Sequence, residues 1–276
     1  MRKRKQQSKI QRFRLGFSPI VSTVILTGIL LTIIGVAIFY ASSLIDANRQ
    51  QMEFESSKDL LIYTATALEQ VALGTGGSRY VRFSLSTTGI DFINNAFGEL
   101  NVSVNDVEIF HDEETSAIII EGGPLVTNTF RMLRPEIKVN PEAEINKLII
   151  GAGEPLIIVY ENFSGGAIAV LRATRIRVNY LGVFDVLEAG IPKKYNYFAI
   201  YYINITFGSL GGSGNIPVIL RNKGITTREY KFNSNVIHVE ANLDGIDETK
   251  DYIGDITAQG SVIIVRIAQV EVSTGG

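Results

Sequence analysis

"FRLGFSPIVSTVILTGILLTIIGVAIFY" (residues 13–40) decides how this chain is built. Bases crowd the sequence before it, and after Arg14 the next charged residue is Asp46. Residues 20–45 form a run of 26 without a charge, fifteen of them Ile, Leu, Val or Phe. As a helix the run is about 39 Å long at ~1.5 Å per residue, against ~30 Å of membrane hydrocarbon. At roughly −0.4 kcal/mol each, the fifteen side chains contribute about −6 kcal/mol towards insertion. The run is therefore long and apolar enough to span a bilayer. Arg2, Lys3, Arg4, Lys5, Lys9, Arg12 and Arg14 precede it with no acid among them. That bias favours a cytoplasmic N-terminus and an external C-terminal region.

A secretory signal also begins with bases, but its apolar core is shorter and ends in a small-residue cut site. Here the core is too long, although Ala41 to Ser43 offer small residues for a cut. Ser18 is placed to cap the first free N–H groups of the helix, and Pro19 sits where a helix start tolerates proline. Just outside, "RLGF" (residues 14–17) sets a base and a flexible glycine where a peptidase at the membrane surface can grip extended backbone.

This order of bases, glycine, Ser-Pro and a long apolar helix resembles the leader of archaeal type IV pilins. The resemblance covers about residues 9–50. It implies a prepilin peptidase cut after Gly16, a mature N-terminus at Phe17, and Arg14 as the recognised base upstream. It further implies other pilin subunits, a pilus assembly ATPase and a membrane platform protein as partners, with membrane lipid around the helix before assembly. Val21 stands fifth after the cut, where bacterial pilins usually carry a glutamate. That departure favours the archaeal branch and removes the usual basis for subunit register. Archaellins share the leader logic but usually start the helix without Ser-Pro, so they rank second.

Composition narrows the alternatives. The 276 residues hold 26 bases and 28 acids. Without the seven leading bases, 19 remain against 28 acids, a net charge of −9. An acidic remainder is unsuited to nucleic acid. Cysteine is absent, which excludes disulfides and Cys-ligated metals.

The helix need not stop at residue 45. Residues 46–73 contain no Pro or Gly, and Leu61, Ala65, Leu68 and Ala72 recur at helical spacing. Gly74, Gly76 and Gly77 end the pattern. "EFESSKD" (residues 53–59) is polar enough to bend it. Gly28 and Gly35 are seven residues apart and lie near one helix face, with Thr27 and Thr32 also small. Small residues let membrane helices approach closely, although they are also ordinary in such helices.

From Ser78 onward the period changes to two, with about ten runs that read as strands. The clearest hairpin is "PLIIVYENFSGGAIAVLRATRI", with its loop at Ser164 to Gly166. Residues 118–120 and 262–267 are apolar throughout, as in strands covered on both faces. The expected fold class is α+β: a long N-terminal hydrophobic helix followed by an all-β head, sandwich-like, with residues 134–147 as a connection if there are two β modules. The domains expected are a leader (1–16), a membrane or filament-core helix (17–45), an amphipathic extension (46–77) and an extracellular head (78–276).

Catalytic chemistry is poorly represented. His111 heads a turn before three acids, and His238 shares a strand face with Glu240. Neither has spaced ligand partners, so no metal and no cofactor is expected. "DGIDETKD" (residues 244–251) departs from the EF-hand pattern and reads as a solvated loop. "GSLGGSG" precedes no helix and lacks a Lys-Ser/Thr partner. Tyr195, Tyr197, Tyr201 and Phe207 fall on one strand face, as core or as a sticky patch. Asn101, Asn162 and Asn204 head glycosylation sequons, Asn162 being best placed at a hairpin tip. The function expected is a structural subunit, a pilin or minor pilin, cut, extracted from the membrane and added to a surface filament. The alternatives are an uncut anchored β-domain for surface binding and an anchored extracellular enzyme.

Overall fold

The computed structural model describes residues 19–74, 77–137, 139–163, 165–188 and 190–275. One helix, α1, runs over Pro19–Leu73, 55 residues without interruption at residues 53–59. Its end is set by Gly74. The Gly74 amide donates to the Gln70 carbonyl at 3.1 Å, and a Cβ there would stand 2.7 Å from that same oxygen. Any other residue would force the chain apart at this point.

The chain divides into two compact units, Met1–Asp46 and Ala47–Gly276. In the first, every described side chain from Ile20 to Asp46 is exposed. It contains a helical stretch long and apolar enough to cross a membrane, with a mean hydropathy of 2.5 over its best window.

The second unit is built from the rest of α1 and fifteen strands, counted among the described residues. The central sheet has six strands: β1 (Ser78–Ser84), β7 (Ile149–Ile150), β10 (Ile176–Glu188), β11 (Ile191–Phe207), β12 (Asn215–Phe232) and β15 (Ser261–Ser273), in the order β1-β12-β15-β11-β10-β7. An outer sheet is formed by β3 (Glu99–Val104), β4 (Val107–Glu114), β13 (Val236–Leu243) and β14 (Ile246–Ile253), in the order β14-β13-β3-β4. A helix-side sheet is formed by β2 (Gly89–Ile93), β5 (Ala117–Glu121), β6 (Arg131–Arg134), β8 (Ile158–Phe163) and β9 (Ala167–Arg172), in the order β2-β5-β9-β8-β6.

Alternation along β11 explains the layering. Ile203 and Ile205 join a core shared with α1 and the helix-side sheet, while Phe198, Ile200 and Tyr202 join a core shared with the outer sheet. The middle of the central sheet is thus covered on both faces, which is why β11 and β15 read as nearly continuous apolar runs. On β15, Val265 and Ile267 face one core and Ala268 and Val270 the other. Residues 118–120 repeat the logic in the helix-side sheet: Ile118 and Ile120 face α1, and Ile119 packs on the far side.

The second half of α1 is part of this core. Phe54, Leu61, Ala65, Leu68, Val71 and Ala72 are fully or almost fully buried against the two sheets. The larger of these side chains contribute about 1.5–3 kcal/mol each. Small Ala65 and Ala72 let the sheets close on the helix.

Two β modules joined by residues 134–147 are not found; the strands form one unit. That segment carries the chain from β6 in the helix-side sheet to β7 in the central one, through the short helix α2 (Pro141–Ile145), whose Asn140 cap accepts from the Ala143 amide. Five more strands occur than the alternation of side chains suggests. β2, β3, β6, β7 and β14 are short or interleaved with polar residues, "AIAVLRATRIRVNY" (residues 167–180) divides into β9 and β10, and "REYKF" proves to be the end of the 18-residue β12.

Candidate functional site

Two features of α1 stand out: the open apolar surface of residues 20–45 and the polar grip on its continuation. On the open stretch, all fifteen Ile, Leu, Val and Phe side chains are exposed, Phe39 to 78%. The Thr32 hydroxyl donates to the Gly28 carbonyl at 2.9 Å, and Thr23 donates to that of Ile20 at 2.9 Å. These hydroxyls therefore bond within their own helix and leave the surface greasy. A Cβ added at Gly28 or Gly35 would meet nothing within 4 Å. With Thr32 between them, these residues fall at i, i+4 and i+7 on one face. The glycines are thus free of any packing duty inside their own chain.

The grip lies in the polar segment that threatened to bend the helix. Glu53 accepts from the Thr87 amide at 2.7 Å and the Thr88 amide at 3.0 Å, and from the hydroxyls of Ser86, Thr87 and Thr88 at 2.5, 3.0 and 2.9 Å. Burial alone would raise its pKa. The Ser86 hydroxyl and the Thr87, Ser86 and Thr88 amides outweigh that and hold the carboxyl far below its ordinary range. Gln50 and Gln51 take the amides of Leu125 and Thr127. Lys58 is buried with Glu161 and paired to it, and Glu55 lies 2.7 Å from the same ammonium. Arg131 completes the group, its Nε 3.0 Å from Glu161. About three turns further on, Glu69 accepts from Arg134 at 3.2 Å and from the Ile157 amide at 2.8 Å. Asn222 caps the helix end through the Val71 carbonyl at 2.8 Å. Sequence reasoning missed these residues because paired and solvated charges look alike in a chain. The one available signal was their spacing: Gln50, Glu53, Phe54, Lys58 and Leu61 share the stripe that carries the buried residues.

Arg14, Gly16, Phe17 and Ser18 lie outside the described residues. The sequon asparagines occupy three different settings. Asn101 is half-buried in β3 and accepts from the Asp112 amide. Asn204 is half-buried in β11 and donates to Glu113. Asn162 is next to last in β8, at the hairpin end, where it accepts from the Phe163 amide.

His111 is exposed, 2.7 Å from Glu108 and 3.1 Å from Asp112; the hydrogen bond to Glu108 and the charge of Asp112 raise its pKa. His238 bridges Asp251 and Glu240, which raise its pKa likewise. Among the described residues, no group of three or more His, Asp or Glu could hold a metal ion. The acidic "DGIDETKD" is a hairpin rather than a loop, with β13 and β14 joined at Asp244-Gly245. The aromatic stripe divides: Tyr201 and Phe207 pack on the α1 core, Tyr195 is covered by Lys231, and Tyr197 meets Phe184 edge to face at 5.2 Å.

No protein family, curated protein or solved structure matches this chain.

Proposed function

We propose that this protein is a structural subunit of an archaeal type IV pilus-like surface filament. A prepilin peptidase cuts after Gly16, and Phe17 becomes the N-terminus. The chain waits in the membrane with its β-rich part outside. The assembly ATPase and platform protein then move it into a filament, where its apolar stretch packs against those of other pilin subunits. Asn162, at the hairpin end, is the sequon asparagine best placed for glycosylation.

One observation carries this reading. The same helix that offers a charge-free, fully exposed surface over residues 20–45 serves, over residues 47–73, as the central element of the β-rich core. A plain anchor needs greasy length and nothing more. Here the membrane-capable helix is bonded into the fold by Glu53, Lys58 and Glu69, as a helix must be if it is to bear load between filament core and surface. In a water-exposed filament the fifteen apolar side chains leave lipid only if neighbouring helices cover them, at about 1.5–3 kcal/mol each.

The glycines supply the test. Gly28→Leu and Gly35→Leu meet empty space in the single subunit and improve helix propensity by somewhat under about 1 kcal/mol. Cleavage and insertion should be unchanged, while close helix approach is blocked. The ratio of filament-borne to membrane-borne subunit should fall, with mature protein accumulating in the membrane. Equal ratios in wild type and variants would remove the packing role. A wild type confined to the membrane, with the machinery present, would favour the anchored surface-domain reading.

A further inference from the structure

Charge is unevenly spread over the second unit. β1 ends the central sheet, and no strand pairs with its outer side among the described residues. It presents exposed Arg79 on the face of Val81 and Phe83, and exposed Arg82 on the other face, where its first residue, Ser78, pairs with exposed Arg221 of β12, so that the arginines flank the free edge from both sides. Among the described residues, the ion pairs run between other side chains and involve none of these three arginines. The outer sheet has the opposite character. Leu100, Val102, Val239 and Ala241 point inward, so the alternate residues face out. They include Glu99, Glu240, Asp247 and Asp251, joined by Glu108 across from Ser103; His238 lies between Glu240 and Asp251, and the face carries no Lys or Arg among the described residues. The two patches are offset along β12. β1 pairs with β12 only as far as Arg221, whereas Arg228 reaches the Ile109 carbonyl on β4. Seven residues of strand are about 23 Å at ~3.3 Å each.

We propose that the two patches are the two halves of one contact between copies of this chain: the arginine edge of β1 in one copy docks on the acidic outer sheet of the next. The inference deepens the filament reading and rests on it. A contact between different surfaces of identical chains does not close on itself, and when repeated it generates an open array. A two-fold contact through either patch would set like charge on like, which costs several kcal/mol. The free edge of β1 adds unpaired backbone N–H and C=O groups for the polar side chains of the partner sheet. A cation is a poorer occupant of the outer sheet, since its carboxylates are spread along strands rather than converged.

Two charge reversals in the full-length chain test this. One variant carries Arg79→Glu, Arg82→Glu and Arg221→Glu; the other carries Glu108→Lys, Glu240→Lys and Asp247→Lys. All six side chains are on the surface, so folding should survive, and circular dichroism checks it. Each variant alone sets like charges together and should lower filament yield by about tenfold or more. Expressed together, they should restore filaments containing both in near-equal amounts. A variant that assembles alone at wild-type yield, or a folded pair without rescue, overturns the contact. If the wild type forms no filament, sedimentation of the detergent-solubilised chain decides. Oligomers at about 0.05 M salt that dissociate at about 0.5 M, and that only the mixed variants re-form, support the contact while the filament reading fails. Monomers at both salt concentrations overturn the contact itself.

Discussion

Glu53 receives six hydrogen bonds from three consecutive residues of the β1–β2 turn, and this one carboxylate ties α1 to the strands. Glu53→Gln keeps the shape but loses the charge and one acceptor oxygen. The expected cost is about 2 kcal/mol at pH 7, read from thermal or denaturant unfolding. The pH dependence has a definite sign. The folded pKa lies below the ordinary 4.5, so the stabilisation is complete above that value and is lost as the pH falls below it. Wild type and Glu53→Gln should therefore converge in acid, and a gap that stays constant from pH 7 to pH 3 would contradict the role given to the charge. Lys58 and Glu161 pose a different problem, since both are buried. Lys58→Met leaves buried Glu161 with Arg131 alone, and Glu161→Gln leaves buried Lys58 with Glu55 alone, so each should cost about 2–3 kcal/mol, less than a fully stranded charge. Lys58→Met with Glu161→Leu should cost less than the two singles summed, because Arg131 is half-exposed and can turn to water. Additive losses would mean that the pair does not act as a unit.

At the scale of elements, the sequence was most legible where one rule governs a long stretch. A charge-free run of 26 residues has few readings, and period two from Ser78 onward marks strands. The hairpin of β8 and β9 is found with Phe163 opposite Ala167, Ser164 of its loop lying outside the described residues. What was illegible depends on partners distant in the chain. Nothing local tells that Glu53 meets Ser86 or that Lys58 meets Glu161, 103 residues on, so "EFESSKD" looked like a weak point in the helix and is its firmest attachment. The same holds for the boundary of the β-rich part. Periodicity changes at Ser78, but the core also requires Phe54, Leu61, Leu68 and Val71. Residues 47–276 expressed alone should thus be soluble with one cooperative transition. Residues 78–276 should expose the helix-binding faces of two sheets and aggregate or stay molten. A shorter fragment that melts as cooperatively, at an equal temperature, would show that the helix is dispensable to the fold.

For the whole molecule, the central claim is that residues 20–45 are kept on a processed subunit and used in assembly. Exposure of fifteen apolar side chains suits lipid and suits a helix bundle equally well in a single chain. Cleavage separates the two, because a simple anchor has no use for it. Gly16→Val puts bulk beside the proposed scissile bond and should leave the leader attached. The most direct measurement is the N-terminal mass of the chain isolated from native membranes and from the shed surface fraction. The account predicts a mature chain beginning at Phe17 in both fractions, and Met1 or its neighbours retained in Gly16→Val. An intact leader on the wild-type chain, or a new N-terminus near Ser42, would contradict it.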